Sequence, residues 1–339
     1  MTTPSLLGRV AAAGLKPLRM GDRELLPIVQ GGMGVGVSAH RLAGSVASQG
    51  AWGTIASVDL RRHHPDLMAR SQHLRDDSAE KKAVIEQANQ EALVREIRQA
   101  REIAGGRGVL AVNVMRAVSD YAASVRTALQ EGVDALVVGA GLPLDLPELA
   151  QDHPGTALVP ILSDARGVAL LWRKWERRQR IPSAIVIEHP AHAAGHLGAA
   201  KVADLGDARF EFETVLLAQA RDEDLVEFTS VAGLPARAVM TPWLNKYLKA
   251  EERLQAVVQL KQRCTMAFDC LSQCGLRDGL KGWGQFCIDQ RLAAALRGET
   301  AKGLFFRGRG ALPFGSQITS VRQLLERLLT PGVPLGTPA

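Results

Sequence analysis

The chain has 339 residues, of which 46% are apolar and 22% charged, and a formal net charge of +6. This composition is ordinary for a globular protein and excludes an intrinsically disordered chain, a collagen-like repeat and a coiled coil. No stretch approaches the roughly 20 apolar residues that a membrane-spanning helix needs. Arg9 interrupts the apolar N-terminal patch, so we interpret that patch as a short helix rather than a targeting peptide. Cysteine usage does not fit a secreted disulfide framework, and we expect a cytoplasmic protein.

Strand and helix patterns alternate as far as residue 200. Short apolar runs that end in glycine or turn residues predict six strands, at 25–33, 51–57, 109–115, 133–141, 157–163 and 183–188. The segments between them have helical spacing, with Ser38 as the predicted N-cap of the first crossover helix and a long helix over 83–103. Strands that alternate with helices in this way predict an α/β fold with parallel pairing.

The alternation stops after Gly198, two units short of a TIM-type (β/α)8 barrel. Segment 225–231 has the composition of one more strand, and segment 233–263 reads as helical. We therefore predict a barrel domain over residues 1–235, followed by a mainly helical C-terminal region over 236–339.

Glycine and polar residues lie where the predicted strands end. The run QGGMGVG at 30–36 ends the first strand, and its glycines allow either a close approach of a ligand to the backbone or a tight turn. Asn113 stands in an apolar strand, where its amide needs a partner in the sheet or on a ligand. We favour the ligand, because Asn113 is near the carboxyl end of its strand.

The loop EHPAHAAGHLG at 188–198 combines one carboxylate, Glu188, with three imidazoles. Histidine titrates near neutral pH and is the commonest general base. Small residues around His196 leave room for a flat ligand, whereas His189 and His192 fit a solvated loop better. The spacing of the three histidines matches no standard metal pattern.

Five motifs, in order, resemble the nitronate monooxygenase family: PIVQGGMGVGVS, AVNV, the GAGLP run at 139–143, VPILSDARGVALLWRKW and AAGHLG. The resemblance implies an FMN-dependent (β/α)8-barrel oxidoreductase, a flavoprotein monooxygenase that oxidises alkyl nitronates with dioxygen to a carbonyl compound and nitrite. It implies that His196 is the catalytic base or orients the substrate. It also implies FMN contacts at Gly31, Gly32, Met33, Asn113, Glu188 and Gly195, with Ala194 in place of a family glycine.

The chain departs from the family where the last two barrel strands are expected. In the family, loops after those strands hold the FMN phosphate with backbone N–H groups. Here a block of about two βα units is absent near 215–217, so we expect FMN binding to be weak or lost. An internal deletion, a natural degenerate paralogue and partial replacement by segment 225–231 each remain open as the explanation.

All four cysteines lie within residues 264–287, at Cys264, Cys270, Cys274 and Cys287. Four thiolates can hold zinc or an iron–sulfur cluster. Because the paired C-x2-C spacing of common zinc sites is absent, a disulfide and inert buried thiols remain alternatives.

Two basic segments have simpler interpretations than a nucleic-acid site. The run at 173–180 is interpreted as the polar face of a helix, and the turn Arg61-Arg62-His63-His64 as a place where an anion can bind. We expect a small-molecule substrate and dioxygen as partners and neither nucleic acid nor a membrane, with homo-oligomerisation left open. The alternative functions are an NAD(P)H:quinone reductase or an enoyl-thioester reductase on the same barrel, and a flavin-free scaffold.

Overall fold

The computed structural model describes residues 6–75, 78–190, 193, 195–196, 202–204, 225–229, 235–239, 244–249, 270–271, 274, 276, 286–299, 301–306, 314 and 317–330. A hairpin comes first, formed by β1 (Leu18–Met20) and β2 (Arg23–Leu25). A parallel sheet follows, in the order β3 (Trp52–Ala56), β4 (Val109–Met115), β5 (Ala135–Gly139), β6 (Ala157–Leu162) and β7 (Val186–Ile187).

The first predicted strand joins this sheet through a few residues only. Val29 forms an isolated parallel bridge with Trp52, and the backbone N–H of Gln30 donates to the Trp52 carbonyl at 2.9 Å. All six predicted strands therefore lie side by side in chain order. The predicted α/β architecture is confirmed, as a parallel half-barrel.

Helices connect the parallel strands: α1 (Leu6–Ala12) precedes the hairpin, and the others are α2 (His40–Ser48), α3 (Pro65–Ala69), α4 (Ala79–Ala104), α5 (Tyr121–Gln130), α6 (Leu146–Leu149) and α7 (Ala165–Glu176). Two of these helices, α4 and α7, begin at side-chain caps. Ser78 accepts from the N–H of Lys81 at the start of α4, and Asp164 accepts from the N–H of Gly167 at the start of α7. None of the helices described is both long and apolar enough to cross a membrane.

One predicted cap is wrong. The N-cap of α2 is Ala39, which makes no side-chain capping bond, and not Ser38. The Ser38 hydroxyl instead bonds the preceding glycine loop, accepting from the N–H of Met33 and donating to the Gly31 carbonyl. A serine hydroxyl can form hydrogen bonds with backbone groups that precede or follow it in the chain, and here it bonds the preceding loop.

The two faces of the sheet are buried differently, because side chains alternate along each strand. Leu110, Val112 and Val114 of β4 pack with the helices in the larger core. Val109 and Ala111 face the inside of the half-barrel, in a smaller cluster with residues of the neighbouring strands. Asn113 continues the inward-facing series, so its amide lies on the inner face near the carboxyl end of β4.

The amino end of the sheet is closed by the hairpin. Arg23 of β2 donates to Asp134 at 2.9 Å, and the other oxygen of Asp134 accepts from the N–H of Leu110 at 2.8 Å. The carboxyl end, which in parallel α/β folds is where ligands bind, is the end left for a site.

A second, antiparallel sheet follows, with the order β8 (Gly195–His196), β10 (Pro235–Val239) and β9 (Leu225–Thr229). The helical prediction for 233–263 is wrong at its start, because β10 is a strand; residues 244–249 are helical. Ala236 and Ala238 are fully buried in a cluster with Phe228, Tyr247 and Phe286, and two buried residues two positions apart share one face of a strand.

The parallel sheet gains no seventh or eighth strand within the described part of the chain. Segment 225–231 contributes β9, but β9 pairs antiparallel with β10 rather than with the parallel sheet. The junction near 215–217 lies outside the described residues, so the absent block stays a prediction.

Two more helices are described towards the C-terminus, Ile288–Leu296 and Val321–Leu328. The second carries Leu325, which packs with Leu6 and Val10 of α1. The proposed division at residues 235 and 236 stays a prediction; β10 spans it.

Replacing Gly53 is expected to destabilise the half-barrel. A Cβ at Gly53 of β3 would overlap the carbonyl oxygen of Ala43 in α2 and lie 2.7 Å from its carbonyl carbon. Strand and helix would have to separate, so we expect Gly53→Ala to lower the free energy of unfolding by about 3 kcal/mol. Urea denaturation measures this, with Gly155→Ala as control because a Cβ there meets nothing within 4 Å. Equal stabilities of the two variants would contradict the packing of α2 on β3.

Candidate functional site

The glycine loop after the first strand lies against Asn113 at the carboxyl end of the sheet. A Cβ at Gly32 would lie 2.5 Å from Asn113 Cβ and 2.9 Å from Asn113 Cγ, so only glycine fits. A Cβ at Gly31 would meet nothing within 4 Å, and Gly31 is exposed. Gly32 is therefore required for packing, whereas Gly31 is exposed and has open space where a Cβ would stand.

The Asn113 side chain is fixed in the sheet. Its Nδ2 donates to the Val137 carbonyl of β5 at 3.0 Å, and its own main-chain oxygen accepts from the N–H of Ser57 at 3.0 Å. The sequence left a sheet partner and a ligand open as partners of this amide. The structure shows the sheet partner on the nitrogen and places the side-chain oxygen on the side of Gly32.

The far end of the glycine loop is held by the turn after β3. Gly36 has φ +79°, and a Cβ there would lie 2.8 Å from Cδ2 of His63. His63 Nε2 lies 2.9 Å from the Gly36 carbonyl oxygen, a hydrogen bond if Nε2 carries the proton. The loop is thus bounded by Asn113 on one side and His63 on the other.

The Arg61-Arg62-His63-His64 turn is engaged by protein groups rather than open to an anion. Arg61 Nε lies 2.8 Å from Asp59 Oδ1, and Arg62 pairs with both Asp59 and Asp289. Asp289 belongs to the helix Ile288–Leu296, so Arg62 joins the C-terminal region to the loop after β3. Carboxylates already neutralise both guanidinium groups, and the geometry does not support the anion-binding interpretation.

The same turn holds α2 through a buried carboxylate. Glu96 of α4 is fully buried; its Oε2 lies 2.7 Å from His40 Nδ1 and its Oε1 lies 3.1 Å from His64 Nε2. The main-chain N–H of His40 also donates to Oε2 at 2.7 Å. The two hydrogen bonds between His40 and Glu96 fix the start of α2, which follows shortly after the glycine loop.

Glu188 lies at the same end of the sheet, directly after β7. Its backbone N–H donates to the Leu162 carbonyl at 2.8 Å, which continues the pairing of β7 with β6. The side chain is half-buried, and burial raises the pKa of Glu188 from 4.5 to about 7. A carboxyl that titrates near neutral pH can hold or release a proton under physiological conditions.

Glu188 is expected to make stability depend on pH. The folded chain keeps this proton up to about pH 7, whereas the unfolded chain releases it near pH 4.5. The folded state is therefore penalised increasingly as the pH rises from 4.5 to 7. We expect Glu188→Gln to be more stable than the wild type at pH 8, by about 2 kcal/mol after allowing for partial exposure, and equal to it at pH 4. Thermal denaturation across this range checks the sign; a difference independent of pH would contradict it.

The backbone of the predicted catalytic histidine lies in the second sheet. Gly195 is paired with Arg237 and His196 with Ala236, so these two residues of the AAGHLG motif pair with β10 rather than with the parallel sheet. His189 precedes it, and its carbonyl accepts from the N–H of Ala193 at 2.9 Å. His192 and Ala194 lie outside the described residues. The roles assigned to His196 and Gly195 stay predictions.

The described cysteines do not form a metal centre by themselves. Cys270, Cys274 and Cys287 are each half-buried, and Cys287 directly precedes the helix Ile288–Leu296. Within the described ranges, no group of three or more His, Cys, Asp or Glu residues is placed to hold a metal ion. Cys264 lies outside those ranges, so zinc or an iron–sulfur cluster at the quartet stays a prediction.

The residues present fit the ring end of a flavin better than its phosphate end. Gly31, which is exposed and has open space where a Cβ would stand, and the Asn113 amide lie at the carboxyl end of the sheet. The cation that follows β4, Arg116, is already engaged, 3.4 Å from Asp145 and stacked over the Tyr121 ring at 4.6 Å. Among the described residues, no pair of parallel strands beyond β7 supplies the loops that would hold a phosphate.

Sequence reasoning missed the residues that support the loop. The side chains of Gln30 and Ser38 form hydrogen bonds at the start of the loop, and His63 contacts the loop at Gly36. Gln30 had a visible signal, since a polar amide directly before two glycines ends an apolar strand. The distant partner Asp289 had none, because 227 residues separate it from Arg62.

Comparison with protein families gives one match, and it covers most of the barrel region. The sequence model of the family "Nitronate monooxygenase" matches residues 23–222, which is 200 of the 339 residues. No curated protein matches the chain.

The solved structures that are similar in fold include the following two. The structure of FabK from Thermotoga maritima is 18% identical with a TM-score of 0.51, over 89% of this chain and 91% of that chain. The nitroalkane oxidase from Streptomyces ansochromogenes is 14% identical with a TM-score of 0.50, over 83% of this chain and 89% of that chain.

Proposed function

The chain belongs to the nitronate monooxygenase family, and from that premise we propose that it is an FMN-dependent oxidoreductase that oxidises alkyl nitronates. The products are a carbonyl compound and nitrite, and dioxygen is the oxidant. Bound flavin would supply the electron acceptor that no side chain of the chain can supply.

The contact of Gly32 with Asn113 is the observation that carries this proposal. Two residues 81 positions apart in the sequence meet at the carboxyl end of the sheet, with a gap that no Cβ can occupy. Beside this contact, Gly31 leaves its backbone exposed. Close backbone approach and one oriented amide are what recognition of a flat, polar ring requires.

Two further residues are assigned roles in the proposed reaction. His196 orients the nitronate anion, or removes the α-proton when the neutral nitroalkane binds. Glu188, whose pKa burial raises to about 7, contacts the cofactor side of the site and changes its charge near neutral pH. The family resemblance supports both assignments.

Steady-state assays of the FMN-loaded protein test the proposal. We expect the protein to release nitrite and to consume dioxygen when a simple secondary alkyl nitronate is added, with both quantities increasing together as turnover proceeds. The same preparation is assayed with NAD(P)H and a quinone, and with NAD(P)H and an enoyl thioester. If the protein turns over in either of these assays but releases no nitrite from the nitronate, the corresponding reductase reaction replaces the proposed one. An FMN-loaded chain that is inactive in all three assays would contradict the proposed reaction, and a chain that cannot be loaded with FMN would favour the flavin-free scaffold.

A further inference from the structure

The main chain leaves the parallel sheet at Gly31 and returns to it at Ser38. The N–H of Gln30 donates to the Trp52 carbonyl at 2.9 Å, and the Ser38 carbonyl accepts from the N–H of Ala56 at 2.9 Å. Both bonds are to the same edge of β3. Residues 31–37 are therefore a loop whose two ends are tied to one strand.

Between those ties, β3 has one set of backbone groups without a main-chain partner. Thr54 lies between Trp52 and Ala56 and is 1% exposed. Its N–H donates to Gln30 Oε1 at 2.8 Å, and its carbonyl accepts from Gln30 Nε2 at 3.1 Å. The Gln30 side-chain amide thus takes the place of the backbone amide that an uninterrupted strand would offer. Without it, a buried N–H and a buried carbonyl would lack partners.

The Ser38 hydroxyl supports the loop from the same side. It is 1% exposed, accepts from the N–H of Met33 at 2.9 Å and from Gln30 Nε2 at 3.1 Å, and donates to the Gly31 carbonyl at 3.2 Å. The Ser38 N–H also donates to the Met33 carbonyl at 3.1 Å. Gln30 Nε2 also donates to the Gly31 carbonyl, so its two hydrogens are shared among that carbonyl, the Thr54 carbonyl and the Ser38 hydroxyl.

We propose that Gln30 and Ser38 are the positioning residues of the site, which hold Gly31, Gly32 and Met33 in the conformation that receives the flavin ring. The inference rests on the proposed flavin function and deepens it. Both residues act through the backbone of the loop, since their polar atoms are used up within the protein.

The physical argument concerns the free chain. Glycines lose more conformational freedom on ordering than other residues, and the loop holds Gly31, Gly32, Gly34 and Gly36. If only a fraction of molecules has the ordered loop, the apparent affinity for the ligand falls by that fraction. Gln30 and Ser38 are expected to keep this fraction near one before the flavin arrives.

The test compares two variants with two matched controls. Gln30→Glu keeps the size of the side chain but, when ionised, cannot donate to the Thr54 carbonyl or to Ser38. Ser38→Ala removes the hydroxyl. Gln49→Glu and Ser48→Ala make the same changes in and next to α2, where the side chains contact each other and the exposed Arg322 rather than the loop.

Three measurements are made on each protein: the FMN dissociation constant from fluorescence quenching, the thermal midpoint, and hydrogen exchange of the Met33 amide without flavin. We expect Gln30→Glu and Ser38→Ala to weaken FMN binding by on the order of tenfold or more at pH 8. We expect both to speed exchange at Met33. The controls should stay within about twofold of the wild type in the FMN dissociation constant and in the Met33 exchange rate.

Low pH supplies a rescue that a merely structural role would not show. The partners of the Gln30 amide are main-chain groups and one hydroxyl, so a protonated glutamic acid can donate one of the lost hydrogen bonds. The ratio of the Gln30→Glu constant to the wild-type constant should fall towards one as the pH is lowered to 5.

Two different failures are distinguishable. If the wild type binds FMN and both folded variants bind it equally well, the positioning role is overturned and the flavin function stands. If Met33 exchange is unchanged in the variants, the positioning role is likewise overturned. If the wild type shows no saturable FMN binding, the flavin function is overturned and the positioning role with it. Should Ser38→Ala fail to fold, the size-conserving Gln30→Glu decides.

Discussion

Gly32→Ala is expected to lower FMN affinity by about tenfold to a hundredfold. The new methyl group would lie 2.5 Å from Asn113 Cβ, the stem of that side chain rather than its flexible end. Either the loop lifts away from β4, or Asn113 turns and loses its 3.0 Å bond to the Val137 carbonyl. Both outcomes disturb the two groups that form the proposed flavin edge.

A titration with FMN measures the effect, and Gly34→Ala is its control. Gly34 belongs to the same loop, but a Cβ there would lie 3.6 Å from Val58, an ordinary van der Waals distance. The control should bind FMN like the wild type. If Gly32→Ala also bound FMN with wild-type affinity while remaining folded, the loop and Asn113 would not form the flavin site.

His196→Ala is expected to reduce turnover by about a hundredfold to ten-thousandfold, the usual contribution of a general acid–base group. The loss should appear mainly in kcat, with FMN binding changed little, because the proposed role of His196 is towards the substrate. His73→Ala is a suitable control, since His73 is an exposed histidine of the loop after α3. Wild-type turnover in His196→Ala would remove the residue from the proposed mechanism.

The parallel half-barrel could be predicted because each of its strands corresponds to a short apolar run that is visible in the local sequence. The run at 109–115 is buried on both faces of the sheet, so it is apolar throughout except for Asn113. The observed strand β4 has the predicted bounds. At 25–33 the same reasoning predicted too much, because the chain leaves the sheet after Gln30 and side-chain groups replace the missing backbone partners.

The errors arose where distant partners decide the local structure. Segment 235–239 was predicted helical, yet it is held as a strand by β8 and β9 on either side. Ser38 stands directly before the N-cap of a helix, but its hydroxyl forms a hydrogen bond with the preceding glycine loop and does not cap the helix. Sheet pairing and loop return depend on tertiary contacts, which local propensity does not encode.

The candidate site was predicted in part for a similar reason. Parallel strands bring their carboxyl ends together, so Gly32 and Asn113 could be assigned to one edge from their positions alone. The turn after β3 was misinterpreted as an anion site because its arginines are visible in the sequence and their carboxylates, Asp59 and Asp289, are not visibly paired with them. Support for the loop by Gln30 required the geometry of β3.

The most direct test of the account is a parallel titration of the cofactor-free chain with FMN and with riboflavin. A ring-binding edge without a phosphate anchor predicts saturable binding of both, with similar dissociation constants that are weaker than about 1 µM. Retention of FMN with much weaker binding of riboflavin would show that a phosphate anchor exists after all. No saturable binding of either flavin would contradict the central claim that the carboxyl edge of this half-barrel is a flavin site.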